Sequence, residues 1–240
     1  MDITKKMKVG EIAATNPQST KILEEAGLDY CCGGHESLHD ACAHAGIPAE
    51  QILARLRASR AEAGPADADW ASAPLADLTR HIREKHHRYV REAIPRVRAL
   101  AGKVHAKHGA NHPEILEIER LFLLLGQEMI MHMQKEEQIL FPYIEALERC
   151  VKAKEPLEPP FFQTVRNPIY AMMKEHDSAG ELTKQIRRIS REYAPPPDAC
   201  ASYQALYQDL REFEADLHQH VHLENNILFP RAVELEQGAF

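Results

Sequence analysis

An all-α fold is predicted: a four-helix bundle preceded by a small helical domain. Three observations predict it. Strand-like alternation is nearly absent along the 240 residues. Long stretches of helical periodicity are separated by Pro, Gly and Asn breakers. A run containing His and Glu at fixed spacing occurs twice, far apart in the chain.

The small domain comes first, over residues 1–63. Val9 to Ala14 forms one or two helical turns. Thr15-Asn16-Pro17 opens a helix that closes at Gly27 as the residue after the helix end. After Asp29-Tyr30-Cys31-Cys32-Gly33-Gly34, a helix runs from about Ser37 to Ala45, and Gly46-Ile47-Pro48 breaks it. Ala49 to about Ala63 is the next helix. Gly64-Pro65-Ala66-Asp67-Ala68-Asp69 carries no large apolar anchor and reads as a linker.

The bundle occupies residues 70–240. Its first helix starts near Pro74 and runs to about His105. The second opens at Asn111-His112-Pro113-Glu114, with Pro and acid where the first turn favours them, and reaches about Arg149. The Pro-rich stretch from Cys150 to Arg166 is a long loop. The third helix takes Asn167 as its cap and Pro168 as its first residue, ending before Pro195-Pro196-Pro197. The fourth opens at Asp198 and runs to about Glu236. Four long helices with short and long connections make a bundle.

Composition removes several function classes. The net charge of −7 argues against a protein that binds nucleic acid by neutralising phosphates. No apolar run approaches the ~20 residues that span a bilayer. Met1 to Lys8 lacks an apolar export segment, and the five cysteines are an odd number in a chain that is not short. A disulfide framework is therefore not expected, and the cytoplasm is the default location. Fourteen histidines, twice the count of Phe or Tyr, set a bias towards metal binding.

The duplicated run turns that bias into a site. One copy is His132-Met133-Gln134-Lys135-Glu136, followed by Glu137-Gln138-Ile139-Leu140-Phe141-Pro142. The other is His220-Val221-His222-Leu223-Glu224, followed by Asn225-Asn226-Ile227-Leu228-Phe229-Pro230. Leu147-Glu148 matches Leu235-Glu236, and Glu128 matches Asp216 four residues before each His. His and Glu four residues apart share one helix face. Imidazole with carboxylate suits iron, manganese or zinc. Two such helices can supply two bridging carboxylates and two terminal imidazoles, with one His from each remaining helix completing a binuclear site.

The third helix has a single histidine, His176, beside Glu175. The first offers His81, His86 and His87, and helical phase against its apolar stripe slightly favours His86 over His87. His108 lies 21 residues beyond His87, about 31 Å at about 1.5 Å per residue, and is left out. His105 and His112 read as exposed residues at loop edges. Glu128, Asp216 and Glu175 are candidates for holding imidazoles in place through hydrogen bonds.

Cys31 and Cys32 are the candidate reactive thiols. The glycines after them let the backbone approach a partner closely. Thiols near a helix N-terminus are expected to be more acidic and better metal ligands. Cys42, Cys150 and Cys200 are isolated and take no role.

Together the Asp-Tyr-Cys-Cys-Gly-Gly segment and the duplicated His-x-x-x-Glu run resemble the repair-of-iron-centres family, the di-iron proteins of iron–sulfur cluster repair. The resemblance covers essentially the whole chain: a short cysteine-bearing domain, then a hemerythrin-like bundle. It implies a centre of two iron ions, oxo- or hydroxo-bridged, with ligands at His87, His132, Glu136, His176, His220 and Glu224. Glu136 and Glu224 would be the bridges. The family's first-helix ligand stands eight residues before a proline, so Pro95 selects His87, against the slight phase preference.

The same resemblance implies a cytoplasmic protein of nitrosative or oxidative stress that restores damaged or apo iron–sulfur proteins by supplying iron. Cys31 and Cys32 would assist the transfer. No nucleic acid and no membrane is expected as a partner, and oligomeric state, a homodimer included, stays open. Whether the protein is an enzyme stays open as well. One alternative is a di-iron redox enzyme that reduces nitric oxide or reacts with oxygen. The other is a hemerythrin-type oxygen or nitric oxide sensor. His35, His39 and His44 belong to no pattern here.

Overall fold

The computed structural model describes residues 3–15, 17–61, 69–156 and 158–239. Among them no strand forms, and Lys8 and Ser37 make an isolated antiparallel bridge. The N-terminal helices are α1 (Val9–Thr15), α2 (Pro17–Glu25), α3 (Leu38–His44) and α4 (Ala49–Ala61). Helix α5 is continuous through Leu75–His81, a π-helical stretch Ile82–His87, and Arg88–His108. Helix α6 runs through Glu114–Lys135, π-helical Glu136–Leu140, and Phe141–Ala153. Helix α7 is Arg166–Ile189. Helix α8 runs through Ala201–Leu223, π-helical Glu224–Leu228, and Phe229–Ala239.

Several boundaries differ from the sequence reading. Helix α7 begins one residue earlier than the expected cap, and Asn167 uses its side-chain amide to donate to the Phe162 carbonyl at 2.9 Å. Helix α8 starts at Ala201, later than the expected Asp198, whose carboxylate is engaged by His112 at 3.0 Å. Helix α5 continues to His108. The expected helix start at Asn16 and the linker residues 64–68 lie outside the described residues.

The chain forms two compact units, to both of which α5, α6 and α8 contribute. One comprises Met1–Thr79, Ile144–Pro159 and His218–Phe240. Its N-terminal helices pack on Val9, Ile12, Leu23, Leu38, Cys42, Ile52 and Leu56, all buried. Full burial of each large aliphatic side chain contributes roughly 1.5–3 kcal/mol. The helix ends follow from local chemistry. Ser37 accepts the Asp40 N–H at 3.1 Å as the cap of α3. Gly27 and Gly46, with φ of 65° and 69°, take the left-handed position after α2 and α3. In the same unit the Glu148 carboxylate accepts the first N–H groups of α5, from Leu75 at 2.9 Å and Ala76 at 3.0 Å.

The other unit comprises Arg80–Tyr143 and Pro160–Leu217. Its stripes recur at helical spacing: Val90, Ala93, Val97 and Ala101 on α5, and Ile118, Phe122, Leu125 and Met129 on α6. Leu206, Leu210, Phe213 and Leu217 do the same on α8, and the Phe122 and Phe213 rings meet edge-on at 5.1 Å. Helix α7 is followed, after Ser190, by three consecutive left-handed residues, Arg191, Glu192 and Tyr193. Such backbone is unfavourable away from glycine. Arg187 and the Tyr193 hydroxyl, each donating to buried Glu214 at 2.9 Å, hold that turn closed.

Candidate metal centre

Four of the six expected ligands lie in the second unit. His87, His132, Glu136 and His176 are all at most 1% exposed. One ligand atom each from His132, Glu136 and His176 falls within 4.8 Å of the others. His132 Nε2 is 3.3 Å from Glu136 Oε2 and 3.0 Å from His176 Nε2, and His87 Nε2 is 3.4 Å from the same Glu136 oxygen. The backbone helps: Glu136 opens one π-helical turn and His87 closes another. Such turns often mark functional positions in helices.

Two of these imidazoles are fixed from behind. His132 Nδ1 donates to Glu175 at 3.0 Å, and His87 Nδ1 donates to Glu137 at 2.7 Å. A carboxylate can only accept, so a proton sits on Nδ1, and in the neutral ring Nε2 keeps its lone pair. The hydrogen bond from His132 pulls the Glu175 carboxyl down to about 2 against its partial burial, with Lys135 assisting. Burial pushes Glu137 up, but the bonds from His87 and Arg91 outweigh it and hold that carboxyl below its ordinary value. The His87 ring also stacks on Phe141 at 5.7 Å. Lone pairs and a carboxylate buried together are a donor set that fits a cation, since a buried charge is costly unless compensated.

His86 and His87 are both buried, but they face different groups. His86 Nδ1 bonds Asp216 at 2.9 Å and its ring meets His81 edge-on at 5.8 Å, while His87 faces Glu136. The phase preference for His86 assumed a regular α-helix, and the π-helical stretch Ile82–His87 shifts the phase at that point. Two expected carboxylate roles change. Asp216 holds His86, not the histidine one turn along α8, and Glu128 accepts from Ser178 at 2.9 Å. Glu175 does hold an imidazole, that of His132 on α6. Glu137 was missed, although it directly follows Glu136 and differs from its counterpart Asn225 in the other copy.

His105 and His112 are not simple loop-edge residues. His105 lies within α5, 3.4 Å from Glu119, and His112 bonds both Asp198 and Glu114. His108 Nε2 lies 3.2 Å from the Cys200 thiol, which the Tyr203 N–H and His108 lower to about 7. His35, His39 and His44 are exposed.

The first unit holds the remaining pair and the thiols. His220 Nε2 is 3.1 Å from Glu224 Oε1, and both residues are fully buried. Glu224 opens a π-helical turn, as Glu136 does in the other copy. The Cys31 and Cys32 sulfurs are 3.9 Å apart and unbridged. Asp29 organises their loop: its Oδ1 accepts from the Cys32 N–H at 3.0 Å, the Gly33 N–H at 2.9 Å and the Cys31 thiol at 3.3 Å. Asp29, Cys31 and Cys32 each bring a ligand atom within 4.8 Å of the others. The expected acidity does not hold for Cys31. Its hydrogen bond with Cys32, its burial and the Asp29 charge push that thiol well above its ordinary value.

Residues 79–232 match the hemerythrin HHE cation-binding domain, and residues 5–60 match ScdA_N, a domain of unknown function. The iron-sulfur cluster repair protein YtfE of Citrobacter koseri is 37% identical over 226 residues, covering 94% of this chain and 96% of the relative. YtfE proteins of Escherichia coli and Shigella boydii match at the same identity and coverage. Cation binding by the bundle domain is thus a family property, and no described helix is long and apolar enough to cross a membrane. The chain belongs to the hemerythrin-domain family of iron–sulfur cluster repair proteins.

Proposed function

We propose that this chain restores iron–sulfur clusters damaged by nitrosative or oxidative stress, by donating iron from a centre of two iron ions. His87, His132, Glu136, His176, His220 and Glu224 would be its ligands, with Glu136 and Glu224 as the shared carboxylates. The observation that carries this is the duplicated His-x-x-x-Glu, with every member buried and each copy's Glu at the start of a π-helical turn. Two carboxylates and four imidazoles supply two nitrogens and two oxygens per ion, leaving positions open for an oxo or hydroxo bridge and an outside ligand.

The roles of the remaining residues follow from their contacts. Glu137 and Glu175 keep His87 and His132 in the tautomer that presents Nε2. Cys31, Cys32 and Asp29 form a second donor group of softer character, suited to take up an iron ion by ligand exchange in which the ion displaces the thiol protons to solvent, with no change of oxidation state. The division into a cysteine domain over 1–63 and a bundle over 70–240 is supported by the two separate domain matches. Damaged or apo iron–sulfur proteins are the acceptors, and the cytoplasm is the setting.

Metal analysis with an optical spectrum tests the centre: two irons per chain and an oxo-bridge absorption are expected. Incubation with an apo iron–sulfur protein tests the activity. With sulfide supplied, iron should leave this chain as the acceptor gains its cluster. Retention of all iron in the presence of acceptor sinks donation. Repeated turnover of nitric oxide with a reductant, undiminished in a Cys31→Ser/Cys32→Ser chain, would favour a redox enzyme instead.

A further inference from the structure

The two copies of the motif are alike in sequence and unlike in surroundings. Ile139 is 37% exposed, whereas its counterpart Ile227 is 5% exposed. Gln134 and Gln138 are exposed, whereas their counterparts His222 and Asn226 are buried and half-buried. In the first unit, α1 and the loop after α2 lie against the second copy. Gln219 Nε2 donates to the Tyr30 hydroxyl at 2.7 Å, and the Tyr30 ring meets His222 edge-on at 5.5 Å. His218 Nδ1 pairs with Glu24 at 3.0 Å.

Asn226 sits at the centre of this contact. Its amide has two N–H donors. Nδ2 donates to the Tyr30 carbonyl at 2.9 Å and lies 3.0 Å from His222 Nδ1. Its oxygen fits between two glycines. A Cβ added at Gly10 would stand 2.3 Å from Asn226 Oδ1, and one added at Gly34 would stand 3.0 Å from it. The Gly10 N–H also donates to the Gly34 carbonyl at 2.9 Å. Neighbouring Asn225 reaches the Cys31 carbonyl at 3.4 Å. At the second glycine of Cys-Cys-Gly-Gly the tightest limit is the Tyr30 carbonyl, 2.7 Å from an added Cβ, with the Asn226 oxygen next.

We propose that Asn226 is a positioning residue: it locks the Cys31–Cys32 loop onto the helical turn that carries Glu224, and passage of iron through the thiols depends on that lock. The proposal rests on the cysteine-assisted donation set out above. Two full-length variants release the lock from opposite sides. Asn226→Ala removes the amide, and Gly10→Ala drives a methyl group into the place of its oxygen. Alanine is itself a good helix residue at a position within α1.

Three quantities are read on each variant. Alkylation of Cys31 by iodoacetamide, followed by mass spectrometry in the iron-free protein, should quicken about tenfold as the loop opens. The initial rate of iron transfer to an apo-ferredoxin supplied with sulfide should fall about tenfold through lost positioning. Iron content and optical spectrum should match the unsubstituted protein. Wild-type transfer rates in both variants overturn the proposal, whether or not alkylation quickens. A Cys31→Ser/Cys32→Ser chain separates two failures. If it transfers at the wild-type rate, cysteine-assisted donation is wrong and the lock has no part in transfer. If it is slow while the two lock variants are not, the lock is wrong and cysteine assistance stands.

Discussion

His87 and His132 use Nδ1 in the same way, each against a carboxylate from another element, and this governs how substitutions should act. Glu137→Gln and Glu175→Gln keep the shape of the acceptor and lose its charge. Iron affinity, measured by competition with a chelator, should fall about 10–100-fold in each. His87→Leu should lower the iron content measured by metal analysis, and His86→Leu should not. The reverse result would reject the choice of His87. At this scale the sequence is most informative where it repeats. His132, Glu136, His220 and Glu224 stand out as candidates from spacing alone, and His176 from being the single histidine of its helix. His87 needed the family pattern, because periodicity favours its neighbour. Glu137 was hidden for a different reason: its partner His87 is fifty residues away, and no local pattern couples the two.

The π-helical turns explain that difficulty. Every helix-wheel argument assumes one angular step per residue, and an i→i+5 turn resets the phase within a few residues. The three turns at Ile82–His87, Glu136–Leu140 and Glu224–Leu228 fall where the expected ligands are, so phase reasoning is weakest at the site itself. Helix ends were legible where glycine or serine sets them, as at Gly27 and Ser37, and the start of α5 was legible near Pro74, but the distant carboxylate that caps it was not. That carboxylate is Glu148. Burial pushes its carboxyl up, but the N–H groups of Ala76 and Leu75, with Lys152, outweigh this and lower it from an ordinary value of 4.5. Glu148→Ala should cost roughly 0.5–2 kcal/mol in urea unfolding, as loss of a helix cap does. Because the folded-state value is depressed, this contribution is complete above about 4.5 and is lost as pH falls through the lowered value. The difference between the parent and Glu148→Ala should therefore shrink on acidification below that point.

At the scale of the molecule, the all-α class and the four long helices were open to inspection, because they rest on local periodicity. The grouping of Met1–Thr79 with Ile144–Pro159 and His218–Phe240 was not, because it joins three segments far apart in sequence. Metal binding belongs to this scale too. A ligand that binds only the folded chain stabilises it by mass action, so iron at a hundredfold excess over its dissociation constant adds about 2.7 kcal/mol. Iron loading should raise the melting temperature, and chelation should return it to the iron-free value. The unequal surroundings of the two motif copies have a last consequence, for evolution and for engineering. The halves of this internal duplication should not be exchangeable. Grafting Glu-Gln in place of Asn225-Asn226 would set a carboxylate against the carbonyl of Cys31 and lengthen the amide that fits between Gly10 and Gly34. Grafting Asn-Asn in place of Glu137-Gln138 would take a charged acceptor from His87 and Arg91. A chimera in either direction should lose function, each through a different defect.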